Sequence, residues 1–190
     1  MTDPLTKLGW RPHFAAQIMS PDDDGLQAVR VMAVHRGRIQ VAGQGGEQFV
    51  DLTSGSASLG ITVGDWVLID GEGPVVKRRL DRFGLFQRRS AGTSGDIQLI
   101  AANVDTLFIV TSANRDFNIA RLERYLAVAH DAGAYPIIVI TKADTVDSVS
   151  DFVADASRLS PGILVEALDA RDAAQVAVLR SWCGTGQTVA

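Results

Sequence analysis

A chain of 190 residues with 46% hydrophobic and 21% charged side chains has the composition of a soluble globular protein, long enough for one large domain or two small ones. One cysteine, Cys183, excludes an internal disulfide, the three scattered histidines exclude a Cys/His zinc motif, and no apolar run approaches the ~20 residues needed to cross a bilayer. The net charge of −4 is uneven, with +3 over residues 30–89 and −5 over residues 91–190, which points to two domains with different partners. The start, Met1-Thr2-Asp3-Pro4-Leu5, has neither the basic residues nor the apolar core of a secretory signal, so no membrane partner and a cytoplasmic location are expected.

In chain order, residues 1–25 read as an N-terminal extension. Phe14 and Ile18, one helical turn apart, predict a short packed helix, and Ser20-Pro21-Asp22-Asp23-Asp24-Gly25 predicts a loop. Residues 26–90 read as β. Apolar or alternating segments near 28–34, 39–41, 49–52, 65–69 and 75–80 are separated by turns such as His35-Arg36-Gly37-Arg38 and Gly43-Gln44-Gly45-Gly46. Five short strands at close intervals predict a small barrel, either the oligonucleotide-binding (OB) type or an SH3-like one. Ser90 to Gly95 is a small-residue linker. From 91 the period changes: strands near 104–110, 137–140 and 163–165 alternate with helices over 118–130, 147–159 and 172–182, the pattern of a parallel α/β sheet. Thr188-Val189-Ala190 reads as the start of a further apolar strand.

The chemistry gathers after Ile137-Ile138-Val139-Ile140. A continuous aliphatic run of this length predicts a strand buried on both faces, and ligands of open α/β sheets bind at the carboxyl ends of such strands. There stands Thr141-Lys142-Ala143-Asp144. A carboxylate accepts two parallel hydrogen bonds from a planar fork, which guanine presents and adenine does not, and a lysine stem packs on a base face. The tetrapeptide therefore reads either as a guanine reader or as a polar loop after a buried strand. The phosphate cradle Gly-x-x-x-x-Gly-Lys-Ser/Thr is absent upstream. Gly43-Gln44-Gly45-Gly46-Glu47 and Gly92-Thr93-Ser94-Gly95-Asp96 lack the lysine and read as turns. Either the fold is not a GTPase, or the domain is circularly permuted and its phosphate loop follows the strand begun at Thr188.

Several stretches together resemble the bacterial GTPases that depend on the small ribosomal subunit and have a circularly permuted G domain. They are Leu8-Gly9-Trp10, Ala101-Ala102-Asn103-Val104-Asp105, Val110-Thr111-Ser112-Ala113-Asn114, Asp116-Phe117-Asn118, Arg121-Leu122-Glu123-Arg124-Tyr125-Leu126, Thr141-Lys142-Ala143-Asp144 and Gly186-Gln187-Thr188-Val189-Ala190. The resemblance implies an α+β chain of two domains: an OB barrel over 26–90, then part of a P-loop-type permuted GTPase domain over 91–190. It implies GTP with magnesium in the full-length protein, and zinc only beyond residue 190. It implies a monomer whose partners are guanine nucleotide, rRNA and the small ribosomal subunit in late assembly. Thr141, Lys142 and Asp144 become nucleotide-binding candidates, Thr141 standing where the family has Asn. Glu166, Ala167 and Leu168 align with the family's second guanine-reading element, with Glu166 in place of Ser and the backbone N–H groups of Ala167 and Leu168 expected to face the guanine carbonyl oxygen. No catalytic residue is expected in this chain, since the phosphate loop would lie past Ala190.

The barrel's cations form a second candidate site: Arg36, Arg38, Lys77, Arg78, Arg79, Arg82, Arg88 and Arg89. Lys and Arg bind phosphate backbones, and single-stranded bases stack on aromatic or guanidinium planes. A solvated strand face is the alternative, with Phe83 and Phe86 in the core. The function expected is a GTP-hydrolysing assembly factor. The competing reading is a non-enzymatic RNA-binding module with a vestigial nucleotide fold.

Overall fold

The computed structural model describes residues 3–57, 59–71, 75–89 and 97–190. The linker Ser90 to Gly95 and the turn at Gly92 to Asp96 therefore lie outside the described residues. The chain divides into two compact units, Met1–Asn103 and Val104–Ala190. No helix among the described residues is long and apolar enough to cross a membrane.

The first unit opens with two single-turn helices, α1 (Pro4–Lys7) and α2 (Pro12–Ala15), each with proline at its start. Proline suits that position because its missing N–H would have no helical partner there. Five strands follow: β1 (Leu26–His35), β2 (Arg38–Gly43), β3 (Gly46–Asp51), β4 (Trp66–Asp70) and β5 (Val76–Arg79), with one helical turn, α3 (Ser54–Ala57), between β3 and β4. They form an antiparallel sheet in the order β3-β2-β1-β4-β5. A parallel bridge from Asp51 to Val75 joins the end of β3 to the residue just ahead of β5. β1 serves two neighbours, β2 and β4, and its pairing with β2 shifts register between Val31 and Ala33, which bends the strand.

Period-two alternation builds the core on both faces of β4. Val67 and Ile69 join Val29, Val31, Ile39, Val41 and Val50 on one side. Trp66 and Leu68 face the other way, onto Leu5, Phe14 and Leu80, with Leu8 and Trp10 packed alongside. The N-terminal segment is thus a lid over one face of the sheet. The Phe14 helix ends at Ala15, and Ile18 and Met19 are exposed.

A hairpin completes this unit: β6 (Leu85–Arg89) pairs antiparallel with β7 (Ile97–Ala102). The sequence reading has no strand here, and it assigns residues 97–103 to the second domain. Buried Asn103 ties the hairpin back. In the left-handed conformation (φ 57°), its Nδ2 donates to the Gly64 carbonyl at 3.0 Å and its Oδ1 accepts from the Phe83 N–H at 3.0 Å. Only glycine fits at Gly64, where φ is +87° and a Cβ would stand 2.1 Å from the Ala102 carbonyl oxygen.

The second unit is a parallel sheet in the order β10-β9-β8, with β8 (Thr106–Ser112), β9 (Tyr135–Thr141) and β10 (Leu164–Ala167). The aliphatic run of β9 is covered on both faces, as its sequence implies. Ile138 and Ile140 meet Leu122 and Leu126 of α4 (Ile119–Asp131) and Ala156 of α5 (Ser150–Ser157), while Ile137 and Val139 meet Leu168, Val176, Leu179 and Trp182. Asn118 caps α4, its Oδ1 accepting from the Arg121 N–H at 2.9 Å. The helix predicted over 172–182 is instead α6 (Ala173–Val176) followed by a 3-10 helix, Ala177–Trp182. The reason is in the spacing: Val176, Leu179 and Trp182 recur every three residues, a period that a 3-10 helix aligns and an α-helix does not. Residues 188–190 run parallel to the free edge of β8, with the Ala190 N–H bonded to the Thr106 carbonyl and the Phe108 N–H to the Ala190 carbonyl.

Candidate functional site

The parallel register of β9 and β10 brings their carboxyl ends together, pairing Glu166 with Val139 and Ala167 with Ile140. The loop after β9 is stitched to both neighbouring strands. On one side the Ala113 N–H donates to the Thr141 carbonyl, and the Thr141 hydroxyl donates to the Thr111 carbonyl at 2.8 Å. On the other side the Leu168 N–H donates to the Ile140 carbonyl at 3.0 Å and the Ala143 N–H to the Leu168 carbonyl at 3.3 Å. Lys142 turns the chain in the left-handed conformation, φ 60° and ψ 30°, an uncommon one for a residue with a side chain. A 3-10 turn, Ala143–Thr145, then presents Asp144. Its tightness is fixed by the Thr145 hydroxyl and N–H, which both bond the Lys142 carbonyl.

Asp144 does not stand alone. Its Oδ2 accepts a hydrogen bond from Arg171 Nη2 at 2.6 Å. Arg171 lies in the loop between β10 and α6 and also clamps Asp169 with Nε and Nη2, both at 3.0 Å. The clamp holds the Asp169 carboxyl below the usual carboxylate range, and the two acids push the Arg171 guanidinium pKa up, Asp169 through its hydrogen bond and then Asp144 through its charge. Gln175 supports the loop, its Oε1 accepting from the Asp169 N–H and its Nε2 donating to Asp172. Asp172 is itself pulled to lower pKa, first by the Ala174 backbone N–H it accepts at the start of α6.

Of the second predicted element, Glu166 and Ala167 are half-buried and Leu168 is buried. The Leu168 N–H, expected to face a guanine carbonyl, is instead bonded to the Ile140 carbonyl, because the sheet register carries one step past β10. Sequence reasoning missed Asp169 and Arg171. Asp-x-Arg is a visible local ion pair, but the reach from Arg171 back to Asp144 exists only once β9 and β10 are neighbours. Beside the β9 loop, at the carboxyl end of β8, a cavity of 440 Å³ is lined by Thr111, Ser112, Asp116, Arg121, Thr141 and Lys142, among others. The buried Thr111 hydroxyl has no hydrogen-bond partner among the described residues. Another hollow, of 370 Å³, lies at the amino ends of β8 and β9 around Asp105, Tyr135 and Pro161, the wrong end of a parallel sheet for a ligand.

The predicted RNA-binding cations divide by their partners. Arg36 and Arg38 are exposed at the β1–β2 turn, with the Arg38 guanidinium 4.5 Å over the Phe49 ring. Lys77 reaches Asp70 at 3.4 Å, and exposed Arg88 reaches Gln98; Arg89 is exposed. Arg78 is tied to Asp23 and to the Gln17 carbonyl, and Arg79 to the carbonyls of Leu59 and Leu80. Arg82 is a correction to the expected basic surface. Only 12% of its side chain is exposed, and it grips both oxygens of the fully buried Asp65, at 2.6 and 2.7 Å, and the Gly60 carbonyl. Asp65 also receives the Thr62 N–H, so this pair folds the loop before β4 rather than offering charge outward. Phe86 is buried and Phe83 packs against the Trp66 cluster.

The family model described as RsgA GTPase matches residues 79–189. The chain belongs to the RsgA GTPase family. It is 43% identical over its whole length to small ribosomal subunit biogenesis GTPase RsgA 2 of Vibrio parahaemolyticus, covering 52% of that protein. It is 44% identical over 98% of its length to the small ribosomal subunit biogenesis GTPase RsgA of Mesorhizobium japonicum, covering 53% of it. The chain thus spans about half the length of these RsgA relatives. Among solved structures, YjeQ from Thermotoga maritima matches 83% of this chain and 56% of its own at a TM-score of 0.66 and 20% identity. YloQ, a circularly permuted GTPase, matches 84% and 57% at a TM-score of 0.60 and 19% identity. These two likenesses establish the shared fold.

Proposed function

We propose that this chain is the guanine-reading and RNA-facing portion of a GTP-hydrolysing factor for assembly of the small ribosomal subunit. The observation that carries the reading is Asp144, a carboxylate on a tight turn at the carboxyl end of a doubly buried parallel strand, in a chain of the RsgA GTPase family. A nucleotide fits the surroundings. Asp144 would take the guanine fork and the Lys142 stem would lie on the base, beside the cavity lined by Thr111, Ser112, Asp116, Arg121 and Thr141. Thr141 braces the turn through its bond to Thr111, and Glu166, Ala167 and Leu168 wall it from the β10 side.

Among the described residues no group of three His, Cys, Asp or Glu side chains is placed to hold a metal ion. The 190 residues contain no phosphate cradle, so this chain by itself is not expected to hydrolyse GTP. For the first unit, the strand order, the bridge from Asp51 to Val75 and the helical turn between β3 and β4 favour a five-stranded OB barrel over an SH3-like one. Its exposed cations, Arg36, Arg38, Lys77, Arg88 and Arg89, are the proposed rRNA contacts, with Arg78 and Arg79 more constrained. A cytoplasmic monomer accords with this role.

The test is Asp144→Asn. An amide donates where the carboxylate only accepts, and so suits the 2-oxygen of xanthine in place of the guanine amine. In NMR titrations, the ratio of GMP to XMP affinity is expected to fall by about tenfold or more. An unchanged ratio means that Asp144 does not read the base.

A further inference from the structure

We propose that Arg171 is a built-in competitor for guanine: its guanidinium hydrogen-bonds the Asp144 carboxylate in the nucleotide-free protein and weakens it as an acceptor for the base. The inference rests on the reading of Asp144 as the guanine reader and adds a residue that sets the affinity of that site.

The geometry is specific. Guanine offers two parallel N–H groups to the two oxygens of one carboxylate, so both oxygens of Asp144 must be available. Oδ2 already accepts from Arg171 Nη2 at 2.6 Å, which uses one of its two lone-pair sites and weakens it as an acceptor, so a guanine fork must share that oxygen with the cation or displace it. A guanidinium is the side chain whose planar N–H groups most resemble the guanine edge, and it meets the same acceptor. Arg171 does not drift there by chance. Its backbone N–H and its Nε both bond Asp169 Oδ1, its Nη2 bonds Asp169 Oδ2, and Asp169 is held in turn by Gln175. Asp169 is thus the anchor: Nη2 serves both acids, so the bond to Asp144 opens by a shift of the Arg171–Asp169 pair together, with Nη2 kept on Asp169. Arg171 is 77% exposed, so nothing packed on it resists the shift. The same exposure limits the strength of the contact, since solvent screens it.

The experiment is an NMR titration of the intact 190-residue chain with GMP and, separately, AMP, for wild type, Arg171→Ala and Asp144→Ala, together with the Arg171 Nε–H signal of the wild type. Exposed ion pairs are worth little, so Arg171→Ala is expected to tighten GMP by about 1.5- to fivefold. AMP, which has no fork for Asp144, keeps its affinity. In wild type the Arg171 Nε–H signal moves on adding GMP and stays on adding AMP. If Asp144→Ala weakens GMP but Arg171→Ala leaves it unchanged or weaker, Asp144 reads guanine and the competitor role is wrong. An equal gain for GMP and AMP in Arg171→Ala also overturns it, because the effect is then not on the guanine fork. If Asp144→Ala alters nothing, the base is read elsewhere and both readings fall.

Discussion

Among the cations of the first unit, Arg36 and Arg82 are both arginines close to β-strand ends, and they do opposite things. Arg36 stands in solvent on a hairpin turn; Arg82 is folded into the unit against a carboxylate with no solvent contact. Removing one partner of a buried pair leaves the other charge uncompensated, at about 3–5 kcal/mol. Arg82→Ala is therefore expected to lower the stability of the first unit by about that amount in urea unfolding, and Arg36→Ala by less than about 0.5 kcal/mol. Equal effects would mean that the Asp65–Arg82 pair is not structural. From composition the two residues are alike, because burial is decided by Asp65, seventeen positions away. Asp144 is legible for the opposite reason: its environment is announced by the four aliphatic residues immediately before the tetrapeptide. Arg171, like Arg82, depends on a neighbour that only the fold supplies.

Elements were legible where one periodicity dominates. The run of β9 reads as a strand buried on both sides because no polar residue interrupts it, and α4 reads as a helix because Leu122, Leu126 and Ala129 share a face beneath an Asn cap. The β6–β7 hairpin was not legible. Gln87, Arg88 and Arg89 on one strand and Ile97, Gln98 and Ile100 on the other are exposed, so the pattern lacks the alternation that marks a half-buried sheet. Residues 177–182 form a 3-10 helix where the apolar pattern alone predicts α, although the period of three is present in the sequence. That period makes a prediction. Leu179 packs under β9 whereas Val178 is exposed, so Leu179→Ala is expected to cost the second unit about 1–2 kcal/mol and Val178→Ala about nothing in the same unfolding measurement. Equal losses would place the segment in a different helix.

At the scale of the whole molecule, the change of period announces two bodies, but the charge argument needs the fold. The unit Met1–Asn103 holds eleven Lys/Arg against eleven Asp/Glu, and the unit Val104–Ala190 holds seven against eleven. The first unit is neutral: the excess of +3 over residues 30–89 is offset by −2 over residues 1–29, where Asp23 is paired with Arg78, and by Asp96. Net charge therefore carries no argument for RNA binding by this unit; the proposed contact rests on the local exposure of Arg36, Arg38, Lys77, Arg88 and Arg89. Each phosphate neutralised by such a side chain releases condensed counterions, about 0.7 of a log–log slope unit per contact on a single strand. Replacing these five by alanine is expected to weaken binding to an rRNA fragment and to flatten its salt dependence, by up to about 3.5 slope units if all five touch phosphate. Arg38 carries a second contribution, since its plane lies over Phe49 and a base can extend that stack, so Arg38→Ala alone should lose more affinity than slope. A salt titration of wild type, the fivefold variant and Arg38→Ala separates the two terms. If the fivefold variant keeps both the affinity and the slope of wild type, these cations are a solvated face and any RNA contact lies on another surface.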